Sequence, residues 1–404
     1  MAVGNIEFPH MHAVSGIKLG ATCAGIKQTE RDDLLLVEMT EATTCAAVFT
    51  QNAFCAAPVL VARDNLEKQP RYLLVNSGNA NAGTGEQGLL DAQASCAAVA
   101  KLSDVNSEQV LPFSTGVIGE ALPINKIVTA LAGAQANLKE DNWDKAAHAI
   151  LTTDTFAKGY SKIIEIDGQS VTVTGMSKGA GMIQPNMATM LGFIATDARI
   201  SQANLQECLT ETVEQSFNRI TVDGDTSTND ACVLMASGKS SLPELIAGSD
   251  VMLQFQLAIQ EACKYLAEAI IRDGEGATKL IKIKVQQAVS DAEAVEVAKT
   301  IAHSPLVKTA FFASDPNWGR ILAAVGRSGV DGLDVNKISI YLGDVCIVDK
   351  GGRATSYTEA AGQKIMDQQE ITVTVDLGRG ECEQQVLTCD FSYDYVRINA
   401  EYRT

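Results

Sequence analysis

The segment IIEIDGQSVTVTG (163–175) constrains the chain more than any other. Two stretches of alternating side chains meet at Asp167-Gly168, and Asp-Gly fits the positive φ angles of a two-residue type I′ turn. The segment therefore reads as an antiparallel hairpin. Downstream, ANLQECLTETVEQSF (203–217) and VMLQFQLAIQEACKYLAEAIIR (251–272) carry the apolar spacing of amphipathic helices. Upstream, DLLLVEM (33–39), AAVFT (46–50), PVLVAR (58–63) and RYLLVNS (71–77) read as strands of a meander or sandwich. A glycine- and asparagine-rich loop, SGNANAGTGEQG (77–88), opens a helix over 89–102. QVLPFSTGVIG (109–119) ends at a Gly-flanked turn, and a helix follows through about 123–135. Asp273-Gly274-Glu275-Gly276 ends the 251–272 helix and TKLIKIKV (278–285) starts a new strand. Helix, strand, a helix over 317–326 and further strands complete the order, so a soft boundary is placed near 278. The whole predicts a mixed α+β fold with sheets covered by helices.

Composition narrows the function. A chain of 404 residues suits two or three domains, or one large one, and 46% hydrophobic residues suffice for a sizeable core. Its 32 Lys+Arg against 49 Asp+Glu leave a formal charge of −17. Phosphates are repelled by such a surface, which argues against nucleic acid or an anionic membrane as the main partner. No apolar run approaches the roughly 18 residues of a membrane span, and residues 1–20 lack a signal-peptide pattern. A soluble, cytoplasmic protein is expected. Ten cysteines with no C-x-x-C pair read as buried free thiols in a reducing compartment. Of the four histidines, His10 and His12 form a His-x-His with no third ligand nearby, and His148 and His303 stand alone. Any mechanism must find its base elsewhere.

Three short motifs fail on inspection. Ser237-Gly-Lys-Ser240 lacks the earlier glycine of a P-loop, since position 233 is Val. The block Asp223-Gly-Asp-Thr-Ser-Thr-Asn-Asp230 begins like a calcium loop. It has Thr228 where the glycine belongs and Leu234 where the bidentate Glu belongs, so it reads as a hydrogen-bonded loop that can shape a polar site. Gly175-Met-Ser177-Lys-Gly179 matches a nucleophile elbow, but Gly179, Gly181 and Pro185 oppose the helix that must follow. A serine hydrolase remains a minor alternative.

The most unusual stretch runs from Ser177 to Asp197. A glycine-rich loop with Lys178 passes through Pro185-Asn186 to Ala188-Thr189 at the mouth of an apolar strand. Locally, Thr189 suits a strand as any β-branched residue does. Chemically it offers more. A threonine hydroxyl can attack the carbonyl before it, and water then splits the resulting ester. The freed α-amine, with a pKa near 7.7–8.0, can act as general base for its own hydroxyl. Nucleophile and base then come from one residue.

KGAGMIQPNMATMLGFIATDA (178–198) closely resembles the signature of the ornithine acetyltransferase (glutamate N-acetyltransferase) family of arginine biosynthesis. The resemblance covers nearly the whole chain. It includes PFSTGVIG (112–119), TTDTFAK (152–158), FNRITVDGDTSTND (217–230), RDGEGATK (272–279), SDPNWGRILAAVG (314–326) and RINAEYRT (397–404). It implies a layered α/β/β/α sandwich with an N-terminal-nucleophile-like catalytic domain over 1–278 and a smaller C-terminal α/β domain over 279–404. It further implies self-cleavage between Ala188 and Thr189, with Thr189 as the nucleophile. Thr189 would carry acetyl from N²-acetyl-L-ornithine to L-glutamate by a ping-pong mechanism. Thr115 and Gly116, in a tight Ser-Thr-Gly turn, would form the oxyanion hole, and Thr152, Lys178, Glu275, Asn399 and Thr404 would join Thr189 in binding substrate. Lys178 would pair with an α-carboxylate and Glu275 with the ornithine side-chain ammonium. No metal or cofactor is implied; whether acetyl-CoA enters as a second donor stays open. Cleavage would give an α chain of residues 1–188 and a β chain of residues 189–404, and the resemblance implies an assembly of two of each. Two other readings compete, a self-cleaved amidohydrolase or aminopeptidase and a non-catalytic binding protein of the same fold.

Overall fold

The computed structural model describes residues 2–4, 6–27, 30–184 and 190–401. Its strands form three sheets. The first has the order Ile17–Thr22, Leu34–Met39, Tyr72–Asn79, Val110–Val117, antiparallel except for the last pair. The second runs Thr44–Phe49, Ala231–Ala236, Leu191–Thr196, Gln169–Lys178, Lys158–Ile166, with the Leu191–Thr196 and Ala231–Ala236 strands parallel. The hairpin expected at Asp167-Gly168 joins the last two of these strands, with φ of 50° and 71° at its two central residues. That is the backbone of a type I′ turn.

The first two sheets pack face to face. Leu35, Val37, Leu73, Val75, Leu111 and Phe113 of the first meet Met176, Phe193, Ala195 and Val233 of the second, and Phe113 and Phe193 contact edge to face at 5.4 Å. The alternate residues point outward but are also buried. Leu34, Leu36, Leu74 and Val110 lie under the helices Gly85–Ser103 and Ile124–Ala136. Val171, Ile194 and Leu234 lie under Gln202–Glu214 and Asp250–Arg272. Four layers result, helix, sheet, sheet and helix. Burial on both faces explains why DLLLVEM reads as a continuous apolar run and not an alternation.

The third sheet takes all six of its strands from residues 280–389, in the order Gly352–Arg353, Val345–Asp349, Ser339–Leu342, Glu370–Asp376, Leu280–Ala288, Cys382–Cys389. One face packs on the helices Asp291–Ala302, Pro305–Phe312 and Trp318–Gly326. These three helices follow one another without the intervening strand expected from the sequence. The helices Glu359–Met366 and Tyr393–Ala400 interrupt the expected final strands.

Two further expectations need correction. PVLVAR is not a strand but lies in the helix Ala57–Asn65, with Pro58 in its first turn. A short apolar run does not distinguish strand from helix by periodicity. Proline suits the first turn, where its missing N–H is no loss, and burial of Val59 and Val61 overrides their β propensity. Ser114-Thr115-Gly116 is not a turn either. These residues finish the Val110–Val117 strand, paired in register with Asn76, Ser77 and Gly78. Of the ten cysteines, Cys45, Cys96, Cys208, Cys232, Cys263 and Cys389 are buried, and Cys23 is exposed.

Candidate active site

The ends of the Val110–Val117 and Gln169–Lys178 strands border a cavity of about 280 Å³. Thr115, Gly116, Thr152, Lys178, Glu275 and Asn399 all line it. Of the residues singled out in the sequence, Ala188, Thr189 and Thr404 lie outside the described residues. Met190, bonded to Thr189, lines the same cavity.

Gly116 is where the backbone itself dictates the residue. Its φ is +136°, and a Cβ there would sit 2.3 Å from the carbonyl carbon of Gly78. Only glycine permits that approach between the paired strands. Beside it, the Lys178 ammonium donates to the Thr115 hydroxyl at 3.2 Å and the Thr152 hydroxyl at 2.7 Å. An ammonium has no acceptor lone pair, so both hydroxyl hydrogens are left to point elsewhere.

Beneath these groups lies a buried charge network. The Lys158 ammonium, fully enclosed, donates to Asp154 at 2.7 Å and Asp273 at 2.6 Å. Asp154 also accepts from Thr152 N (3.0 Å) and Gly179 N (2.7 Å), and lies 3.8 Å from the Lys178 ammonium. Two carboxylates face two ammoniums, which meets the requirement that buried charge be paired. Burial alone would raise the Asp154 carboxyl, but the Lys158 and Lys178 charges and these hydrogen bonds hold it well below the usual carboxylate range. Burial lowers the Lys178 ammonium below its ordinary value, opposed by Asp154. Asp273 accepts from Thr155 N and its hydroxyl, and burial raises its carboxyl.

Glu275 follows the Asp250–Arg272 helix, and its N–H donates to Ala180 O at 2.8 Å. Asn399, on the Tyr393–Ala400 helix, donates to the Glu275 carboxylate at 2.8 Å. A Cβ on Gly181 would come within 2.4 Å of that carboxyl group, so the glycine makes room for it. Burial raises the Glu275 pKa, opposed by hydrogen bonds from Thr153 and Asn399.

The polar block at 223–230 joins the site. Asp223 accepts from Met182 N (2.7 Å) and Ile183 N (2.9 Å). Together with Asp154 on Gly179, it fixes both ends of the 179–183 loop. Asn229 donates to Ala80 O and Ser114 O, tying the block to the strand that carries Thr115. Asp230 is buried in the cavity wall, its Oδ2 has no hydrogen-bond partner among the described residues, and burial pushes its carboxyl well above the usual range.

Sequence reasoning missed Asp154, Lys158 and Asp273 as a network. The Asp154–Lys158 spacing of four inside TTDTFAK was the available signal; the link to Asp273 is tertiary. The elbow serine, Ser177, is buried with its hydroxyl toward Leu266 O at 3.5 Å, on the helix side of its sheet. It does not line the cavity. His303 is buried and pushed down to about 4 by burial and neighbouring cations. His10 and His12 stack edge to face at 4.8 Å, and no group of three metal-binding side chains occurs among the described residues.

Comparison with known proteins places this arrangement in context. The ArgJ family model matches residues 18–404. A Methylococcus capsulatus protein named arginine biosynthesis bifunctional protein ArgJ is 61% identical over 400 residues, covering 99% of this chain and 98% of its own length. The protein of that name from Pseudomonas fluorescens is 54% identical over 405 residues, with both chains fully covered. The crystal structure of the argJ bifunctional protein of Bacillus halodurans is similar with a TM-score of 0.51 and 43% identity. It covers 53% of this chain and 100% of that one.

Proposed function

The chain belongs to the ArgJ family, and from that premise we propose that it moves the acetyl group of N²-acetyl-L-ornithine to L-glutamate through an acetyl ester on Thr189. The observation that carries the reading is convergence. Six candidate residues from five separate segments line one cavity, and Met190, next in the chain after Thr189, lines it too.

Cleavage of Ala188–Thr189 frees the Thr189 amine as general base for its hydroxyl. The hydroxyl oxygen attacks the acetyl carbon of acetylornithine, and ornithine departs with the proton. Glutamate then takes the acetyl group and restores the hydroxyl. Each attack raises an oxyanion. The Thr115 hydroxyl hydrogen, turned outward by the Lys178 donation to its oxygen, meets that charge beside Gly116. Lys178 pairs with the α-carboxylate both substrates share, and Glu275, positioned by Asn399, meets the ornithine ammonium.

The Bacillus halodurans chain, covered end to end by 53% of this one, is close to the share lying beyond a cut at residue 188, which supports cleavage. The bifunctional name of the relatives supports acetyl-CoA as a second donor. Our reading of the chain as a catalytic unit to residue 278 and a C-terminal unit from 279 is supported by the third sheet, whose strands all lie in 280–389. We assign the enzyme to the cytoplasm as two α and two β chains, acting without metal or cofactor. No described helix is long and apolar enough to cross a membrane.

Mass spectrometry of the purified protein tests the core of this. Wild type should give fragments 1–188 and 189–404, and Thr189→Ala one uncut, inactive chain. An active wild type that remains a single chain would overturn the mechanism. Acetate release independent of glutamate would instead assign a hydrolase.

A further inference from the structure

Among the described residues, two acidic side chains line the cavity, Glu275 and Asp230. Glu275 is engaged by Asn399. Asp230 is only 3% exposed, and its backbone is pinned on every side. Thr50 N donates to Asp230 O at 2.9 Å, and the preceding side chain, Asn229, is tied to Ala80 O and Ser114 O. The next residue, Ala231, donates its N–H to Met190 O at 2.9 Å. That bond opens the parallel pairing of Leu191–Thr196 with Ala231–Ala236 and sets Asp230 alongside Met190 in the cavity wall. Ser227 hydrogen-bonds the carboxyl, and two titratable side chains interact with its charge. They are Lys178, at the end of its strand, and Cys55, ahead of the Ala57–Asn65 helix. Oδ2 still has no partner among the described residues. A buried oxygen left unpaired is costly, and a ligand in the cavity can supply what it lacks.

Proton counting shows which ligand group that is. The amide nitrogen of acetylornithine is neutral, but ornithine leaves as an α-ammonium in neutral water. Glutamate arrives as an α-ammonium and must shed a proton before its nitrogen can attack. The Thr189 hydroxyl and amine hand one proton to ornithine and recover one from glutamate. A second proton follows the same route and has to be stored between the half-reactions. We infer that Asp230 is a further catalytic residue, the store that gives this proton to the departing ornithine nitrogen and takes it back from glutamate. The inference rests on the acetyl transfer proposed above. In the first half-reaction the Thr189 oxygen bonds to the acetyl carbon and the carbon–nitrogen bond breaks. The hydroxyl proton and the Asp230 proton both end on ornithine, and Asp230 becomes a carboxylate. In the second, glutamate returns one proton to Asp230, and its nitrogen bonds to the acetyl carbon. The carbon–oxygen bond then breaks, and the other proton restores the Thr189 hydroxyl. Burial favours the neutral carboxyl at rest, and Lys178 supplies the countercharge for the carboxylate that it becomes.

The first test needs wild type alone. The self-processed protein is mixed with acetylornithine at neutral pH in weak buffer containing a pH indicator, and acetyl-enzyme is counted by mass spectrometry. Proton uptake from solution should be close to none; about one proton per acetyl group would overturn the proposal. Asp230→Asn, of the same size but unable to hold the proton, should take up about one more than wild type. Its transfer of acetyl from the acetyl-enzyme to glutamate should fall about 10²-fold at neutral pH and recover as rising pH deprotonates glutamate. Hydroxylamine, already unprotonated at neutral pH, should restore transfer to within about twofold of wild type, which a merely distorted site would not allow. Asp230→Glu, which keeps a carboxyl, should lack that steep rise with pH. Unaltered glutamate transfer in Asp230→Asn, or equal losses with both acceptors, would overturn the role and leave acetyl transfer standing. A wild type that forms no acetyl-enzyme from acetylornithine would overturn the acetyl transfer itself, and this role with it.

Discussion

The strands Val110–Val117 and Leu280–Ala288 both contribute to a core, but they do different work. In the second, Ile281, Ile283 and Val285 face the helices, and Lys282 and Lys284 face outward toward Glu268 (3.7 Å) and Glu383 (2.9 Å). Period-two alternation settles its role, because one face is wet. In the first, Leu111 and Phe113 enter the inner core, Val110 the outer one, and the polar residues gather at the end as Ser114-Thr115-Gly116. A sheet buried on both faces has room for chemistry only at its strand ends. The cavity and its charges sit there, so stability and activity should separate along this line.

The sharpest way to break that comparison is Asp154→Ala, which leaves Lys158 and Lys178 enclosed without this partner. Loss of one member of a buried pair costs about 3–5 kcal/mol, so the denaturant midpoint should fall together with activity. A change below about 1 kcal/mol would mean that the network is not structural. The sign of the pH effect follows from the depressed Asp154 carboxyl. Its stabilisation is complete above the unfolded value of 3.8 and fades as pH falls through the folded one. The variant should lack that part of the acid transition.

Next in size is Thr115→Val, which keeps the strand and removes the hydroxyl. Oxyanion-hole donors are worth about 10²–10³ in kcat, with unfolding midpoint nearly unchanged. Unaltered kcat would remove Thr115 from the chemistry.

Glu275→Gln should raise KM for acetylornithine about tenfold, equivalent to about 1.4 kcal/mol. In wild type the raised carboxyl pKa means that this affinity weakens on acidification before pH reaches 4.5, as the carboxylate takes up a proton. An unchanged KM would cancel the ammonium pairing. The smallest effect belongs to the other strand. Ile283→Val should cost about 0.5–1.5 kcal/mol of stability and alter neither kcat nor KM; a kinetic change would erase the distinction between the two regions.

Legibility followed the same physics. The Asp167-Gly168 hairpin and the Leu280–Ala288 strand were readable because turn chemistry and a one-sided face leave local marks. PVLVAR misled because Leu60, on the exposed side of the helix, is itself apolar, so Arg63 alone marks the period. Thr115 and Gly116 were found by resemblance, yet their place inside a strand, and not a turn, depended on pairing with Ser77 and Gly78.

The amino-acid order alone determined the layered α+β class, the candidate nucleophile and the family, since periodicity, turn residues and long motifs are properties of neighbours along the chain. Only the tertiary structure decided that Lys178 would bridge Thr115 and Thr152, that Asp154 would gather Lys158, Thr152 and Gly179, and that Asp230 would be buried in the cavity wall. The decisive contacts, Lys178 on Thr115 and Gly179 on Asp154, join groups far apart in sequence, and such charges and hydrogen bonds acquire strength only once folding has excluded water from between them.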